Sequence, residues 1–79
     1  MKIQGELYDR MKAAIAGIVD ANGADKIREV YTGHSQQRML WDIWHAGNRG
    51  FAIDPYKAGL NDNHVETAIK RIAKELGLI

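Results

Sequence analysis

Ser35 to Phe51, SQQRMLWDIWHAGNRGF, holds both tryptophans of the chain and its only serine. At roughly 100° per residue, Met39, Leu40, Ile43 and Trp44 fall on one helical face, which predicts an amphipathic helix. Ser35 is placed to cap it, since its hydroxyl can accept from a free amide of the first turn. Gly47 and Gly50 bracket Asn48 and Arg49 and read as a C-cap followed by a loop. A stripe with an indole in it must be covered by other amphipathic segments, and the chain supplies them.

The first segment is expected from about Ile3 to Ala21. Leu7, Met11, Ala14, Ile15 and Ile18 form its stripe, with Tyr8 and Val19 at one edge. Gly17 lies inside this helix and suggests close approach of a neighbour. Asn22-Gly23 is the stop signal. A shorter helix, about Ala24 to Tyr31, follows, with Ile27, Val30 and Tyr31 on its apolar side. After the central helix, Phe51-Ala52-Ile53 reads as an apolar connector, because nothing else in the chain could pair with it as a strand. Asp54-Pro55 opens one helical turn, with proline where its missing N–H costs nothing, and Gly59 closes it. The last helix is capped by Asn61, with Asn63 and Glu66 as an alternative box and Leu60 over Val65 as a staple. Its stripe is Val65, Ala68, Ile69, Ile72 and Leu76. Gly77 ends it, and Leu78-Ile79 is expected to fold back onto the core.

These segments predict an all-α, compact single-domain helical bundle over residues 1–79, with three main helices and two short ones. The expected core is Leu7, Met11, Ile15, Ile18, Leu40, Ile43, Trp44, Val65, Ile69, Ile72 and Leu76. A chain of 79 residues buries only about 60–65% of the surface its unfolded form exposes, so this core is thin. With no cysteine there is neither a disulfide framework nor a thiolate metal site. The fold must rest on packing, or on packing helped by a homodimer contact. The longest apolar run, Ala13 to Val19, is too short to span a bilayer, and it lacks the flanks of a secretion signal. A cytoplasmic location, with no membrane partner, is the expectation.

No constellation points to catalysis or to a cofactor. His34, His45 and His64 show no i,i+4 pair of the helical zinc kind; Asp42 with His45 is an i,i+3 pair of a type common by chance. Ser35 as a cap is not free to act as a nucleophile. Gly33-His34-Ser35 with Arg38 could hold an anion only as any helix start can.

Binding is the better-supported class, in two forms. Trp41 falls off the main stripe, beside Arg38 and His45. It is either core in a helix packed on two sides, which the average burial of tryptophan favours, or part of a patch facing a partner. Arg38, Trp41, His45 and Arg49 then form the candidate protein-binding surface, since Trp and Arg are enriched at binding hot spots. Arg38 and Asp42, at i,i+4, could also simply pair with each other. The alternative is DNA binding. Tyr56 to Ala58, the turn at Gly59 and the last helix resemble a helix-turn-helix in outline. Asn63, Thr67, Lys70, Arg71 and Lys74 would be its donors. The formal net charge of +1, from 11 basic and 10 acidic side chains, gives that reading no basic excess.

The run from Ala58 to Ile72, AGLNDNHVETAIKRI, together with Met39-Leu-Trp-Asp42, resembles small uncharacterised proteins encoded in phages and prophages. The resemblance covers the second half of the chain and implies no activity. It implies an accessory protein that binds a macromolecule of a bacterial host, such as an inhibitor of a defence system.

Overall fold

In the computed structural model, which describes residues 3–79, the chain forms helices α1 (Gly5–Asn22), α2 (Ala24–Val30), α3 (Gln36–Asn48) and α4 (Asp62–Glu75). A four-residue 3-10 turn, Pro55–Ala58, lies between α3 and α4. No strand occurs among the described residues. The fold is the expected all-α bundle of three main helices and two short elements. Residues 1 and 2 of the expected domain lie outside the described part.

α1 starts two residues later than its periodicity suggests. Gly5 has φ +65°, a conformation glycine adopts without steric cost and a right-handed helix does not continue through. Ile3, expected inside the helix, lies ahead of it and is buried in the core. At the other end Gly23, at φ +86°, donates to Val19 O at 2.7 Å. The chain turns there directly into α2. α1 packs against α2, α3 and α4, and α3 packs on α4.

The main stripe of α1 is rotated slightly from the expected one. Tyr8, Met11, Ala14, Ile15 and Val19 are buried, whereas Leu7 and Ile18 are half-buried at its edge. The burial of Tyr8 is made possible by its hydroxyl, which donates to Glu75 at the end of α4; a buried phenol needs such a partner. Val30, expected on the apolar side of α2, is 60% exposed, and Ile27 alone on that helix is buried. Tyr31 caps α2 and donates to Asp42 Oδ2 of α3 at 2.9 Å.

The two mid-helix glycines reverse the expected roles. An added Cβ at Gly17 would meet nothing within 4 Å, so no neighbour approaches there. At Gly47 it would stand 2.3 Å from the carbonyl oxygen of Ala14 and 2.8 Å from its carbon. Gly47 is therefore no C-cap. It is buried inside α3, which runs on to Asn48, and it lets the α3 backbone touch that of α1. Ser35 caps α3 as expected, its hydroxyl accepting from Arg38 N at 3.1 Å.

Asn48 organises the connector. Its amide donates to Ile53 O at 2.8 Å and accepts from Ile53 N at 2.7 Å. Ala52 sits between them at φ +53°, and Ile53 is buried. Asp54 Oδ1 accepts from Tyr56 N and Lys57 N, which starts the 3-10 turn.

Asn61 caps α4 in a reciprocal box. Its side chain accepts from His64 N at 3.1 Å, and His64 Nδ1 accepts from Asn61 N at 3.2 Å. The box expected at Asn63 and Glu66 does not form, because the helix has already begun at Asp62 and Glu66 turns toward α3. Leu60 and Val65, the staple pair, are both buried. The helix ends in a Schellman motif, with Leu78 N donating to Ala73 O at 2.8 Å and Gly77 N to Lys74 O at 3.2 Å. Leu78 is fully buried, while Leu76, expected in the core, is only half-buried. Arg28 holds this end, donating to Gly77 O at 2.8 Å and Leu78 O at 3.2 Å.

Candidate functional site

The packing of α3 against α4 leaves an open groove of about 440 Å³. Gln37, Trp41 and His45, four residues apart, line its α3 side. Asp62, Asn63 and Glu66 line the α4 side, and Tyr56 of the 3-10 turn lines the groove too. Each wall is a row of residues on one helix face, because positions four apart stand one above the other.

Trp41 is half-buried, between the two expected alternatives. Its indole Nε1 donates to Glu66 Oε1 at 2.9 Å, and Gln37 Nε2 donates to the same oxygen at 2.7 Å. The His45 ring lies 5.8 Å from the indole, tilted by 32°. Lys70 Nζ stands 3.9 Å from Glu66 Oε2. The hydrogen bond from Trp41, then that from Gln37, holds the Glu66 carboxyl below its ordinary value; burial opposes them, and Lys70 adds to the lowering. The Tyr56 hydroxyl donates to Asp62 Oδ1 at 2.6 Å. That bond, followed by burial and the Asp62 charge, pushes the Tyr56 phenol up to about 12. Glu66 thus stays a carboxylate and Tyr56 a phenol across the neutral range. Both shifts run away from neutrality, whereas a general acid or base is tuned toward it.

The expected protein-binding surface is divided. Trp41 and His45 share the groove. Arg38 points along α3 to Asp42, its Nε 3.7 Å from Oδ2, and Asp42 also accepts from Tyr31. The i,i+4 pairing of Arg38 is therefore what forms. Arg49 is the exposed C-cap of α3 and does not line the groove. Gln37, Tyr56, Asp62 and Glu66 also line the groove, and the sequence does not single them out for it. The only signal for the acids was their spacing at i,i+4, which became meaningful once α4 was known to lie beside α3.

The alternative DNA set is divided too. Asn63 lines the groove, while Thr67, Lys70, Arg71 and Lys74 line a separate depression of about 400 Å³ with Glu75. Arg71 lies 4.6 Å over the Tyr8 ring, with its Nε 3.7 Å from Glu75 Oε1. The Thr67 hydroxyl donates to Asn63 O at 2.8 Å. The preceding element is the four-residue 3-10 turn, too short for the first helix of a helix-turn-helix.

The histidines are dispersed. His64 is held in the α4 cap, and His34 packs edge-on to Tyr31 at 5.9 Å. Among the described residues no group of three or more His, Cys, Asp or Glu could hold a metal ion. No helix of the described residues is long and apolar enough to cross a membrane. Comparison with protein-family models, curated proteins and solved structures gave no match to this chain.

Proposed function

We propose that this chain is a small non-enzymatic module that binds a protein partner through the groove between α3 and α4. The carrying observation is Trp41: a half-buried indole, fixed by Glu66, beside His45 on the wall of an open groove. A large side chain already held in one conformation loses little entropy when a partner covers it. All the residues that line the groove except Tyr56 stand on α3 or α4, which favours a defined contact. The phage resemblance adds the context: an accessory protein acting on a component of a bacterial host, such as a defence protein, by direct contact.

Affinity capture from a bacterial lysate tests this. The expected result is a protein retained by the parent chain and lost with Trp41→Phe and with His45→Ala. Circular dichroism of each variant reports that the fold is kept. A partner retained equally by both variants, or none retained by the parent, refutes the reading.

DNA binding through α4 has one observation in its favour, the exposed Lys70, Arg71 and Lys74 along one depression. Against it, Glu66 and Glu75 stand among these cations and pair with Lys70 and Arg71. Titration with random duplex DNA at two salt concentrations decides. Salt-sensitive binding lost on Lys70→Ala and Arg71→Ala would support it.

A further inference from the structure

The groove is chemically lopsided. Its α3 wall is aromatic, with Trp41 and His45. Its α4 wall carries two carboxylates one turn apart, Asp62 and Glu66. Each carboxylate gives one oxygen to a donor of its own chain. Asp62 Oδ1 accepts from Tyr56; Glu66 Oε1 accepts from Trp41 and Gln37. Asp62 Oδ2 and Glu66 Oε2 accept no hydrogen bond from the described residues, and the cation nearest Glu66 Oε2 is Lys70 at 3.9 Å. A neutral apolar occupant would strip water from these oxygens and return nothing. A phosphate would meet like charge.

Resting on the proposed binding role of the groove, we propose that it receives an arginine side chain of the partner protein, laid over the Trp41 indole and donating to Asp62 and Glu66. A guanidinium is planar, stacks on aromatic faces and carries five N–H donors in a fork. Carboxylates at i,i+4 stand about 5–6 Å apart at their Cβ atoms, a gap that the planar fork spans while its face stays on the indole; a lysine ammonium can reach both oxygens with its three donors but is more strongly hydrated and has no face to stack. Trp is the best aromatic partner for such a cation. Glu66 is already fixed by two donors, so the site needs little rearrangement to accept the guest.

Capped pentapeptides that differ only at the central residue, arginine, lysine, norleucine or glutamate, test this against the 15N-labelled protein. The indole N–H of Trp41 is the reporter, and that of Trp44, which is 2% exposed, is the internal reference. The expected result is saturable shifts at Trp41 with the arginine peptide, with Kd on the order of 1–10 mM, the range open to one side chain. Trp44 should not move. Asp62→Asn should weaken binding about tenfold, the usual effect of losing a charged partner. Lys70→Ala, which removes the competing cation, should tighten it.

Equal shifts with norleucine and arginine would overturn the arginine assignment and leave the groove as an apolar contact. Lysine binding as tightly as arginine would overturn the guanidinium geometry. If no peptide shifts Trp41, but capture of the lysate partner still requires it, this inference fails and the proposed function stands. If capture fails as well, both fail.

Discussion

Gly47→Ala isolates the contact on which the α1–α3 pair depends. The new methyl would stand 2.3 Å from Ala14 O, 2.8 Å from Ala14 C and 3.4 Å from Ile15 N. All three are backbone atoms of a helix, so no single side chain can give way. Relief needs the two helices to part by about 1 Å, a gap that forfeits a quarter to a half of the dispersion energy across it. Overpacking of this kind costs about 1–3 kcal/mol, and a backbone clash belongs at the upper end. The methyl also removes the conformational freedom of glycine, a gain of about 0.5–1 kcal/mol. The net expectation is a loss of about 2 kcal/mol, out of a total of roughly 4–12 for a chain this size. Urea unfolding followed by circular dichroism reads it. With a slope near 1 kcal/mol/M, the midpoint falls by about 2 M. Gly17→Ala is the paired control. It brings the same helix-forming gain with nothing within 4 Å, so its midpoint should rise by about 0.5–1 M. A Gly47→Ala protein as stable as the parent would refute the packing argument.

Four further outcomes follow from contacts described above. The Glu66 carboxyl, followed by carbon NMR, should titrate below 4.5, and Trp41→Phe should raise it by removing the largest cause. Because its folded value is depressed, the stability it contributes is complete above 4.5 and lost as pH falls through the folded value; a flat acid limb for the parent against Glu66→Gln would contradict this. The Tyr56 ring should titrate near 12, and Asp62→Ala should bring it back toward 10.0; the contribution of that bond is full below 10.0 and disappears as pH rises through 12. Asn61→Ala should cost about 1 kcal/mol in urea unfolding through loss of the α4 cap, with Leu60 and Val65 still buried. Arg28→Ala should lower amide-exchange protection at Leu78 more than at Ile72, since it frees the two carbonyls that Arg28 holds.

Elements set by local chemistry were legible from sequence. Ser35, Asn61, Asp54-Pro55 and Gly77 each announced a boundary, because a cap acts within one turn of itself. The stripes of α3 and α4 were legible for the same reason: Met39, Leu40, Ile43, Trp44, Val65, Ile69 and Ile72 are all buried. Gly47 carries a signal of its own in the sequence. It follows Trp44 by three residues, Ile43 by four and Leu40 by seven, which puts it in the middle of the apolar face. A glycine there signals close approach, not an end. Periodicity puts Tyr8 at the margin of the stripe, because its burial depends on Glu75, sixty-seven positions away. The groove was hidden for a similar reason. Trp41 stands out in the sequence as an indole off the stripe, but Glu66, which fixes it, lies on another helix. Periodicity says which face of a helix is apolar; it does not say which helix will stand beside its polar edge.

The clasp between Asn48 and Ile53 has a consequence for how this chain can vary. One side chain grips both the N–H and the C=O of a residue five positions on, so it works as a ruler for the span between them. Arg49, Gly50, Phe51 and Ala52 are all exposed, and the identities of the first three are loosely constrained; Ala52, at φ +53°, has room for glycine or asparagine but not for a β-branched residue. Their number is fixed: one residue more or fewer would carry Ile53 out of reach of the amide and out of the core. Tolerance here should be wide to exchange and narrow to insertion or deletion, the reverse of what an ordinary surface loop allows.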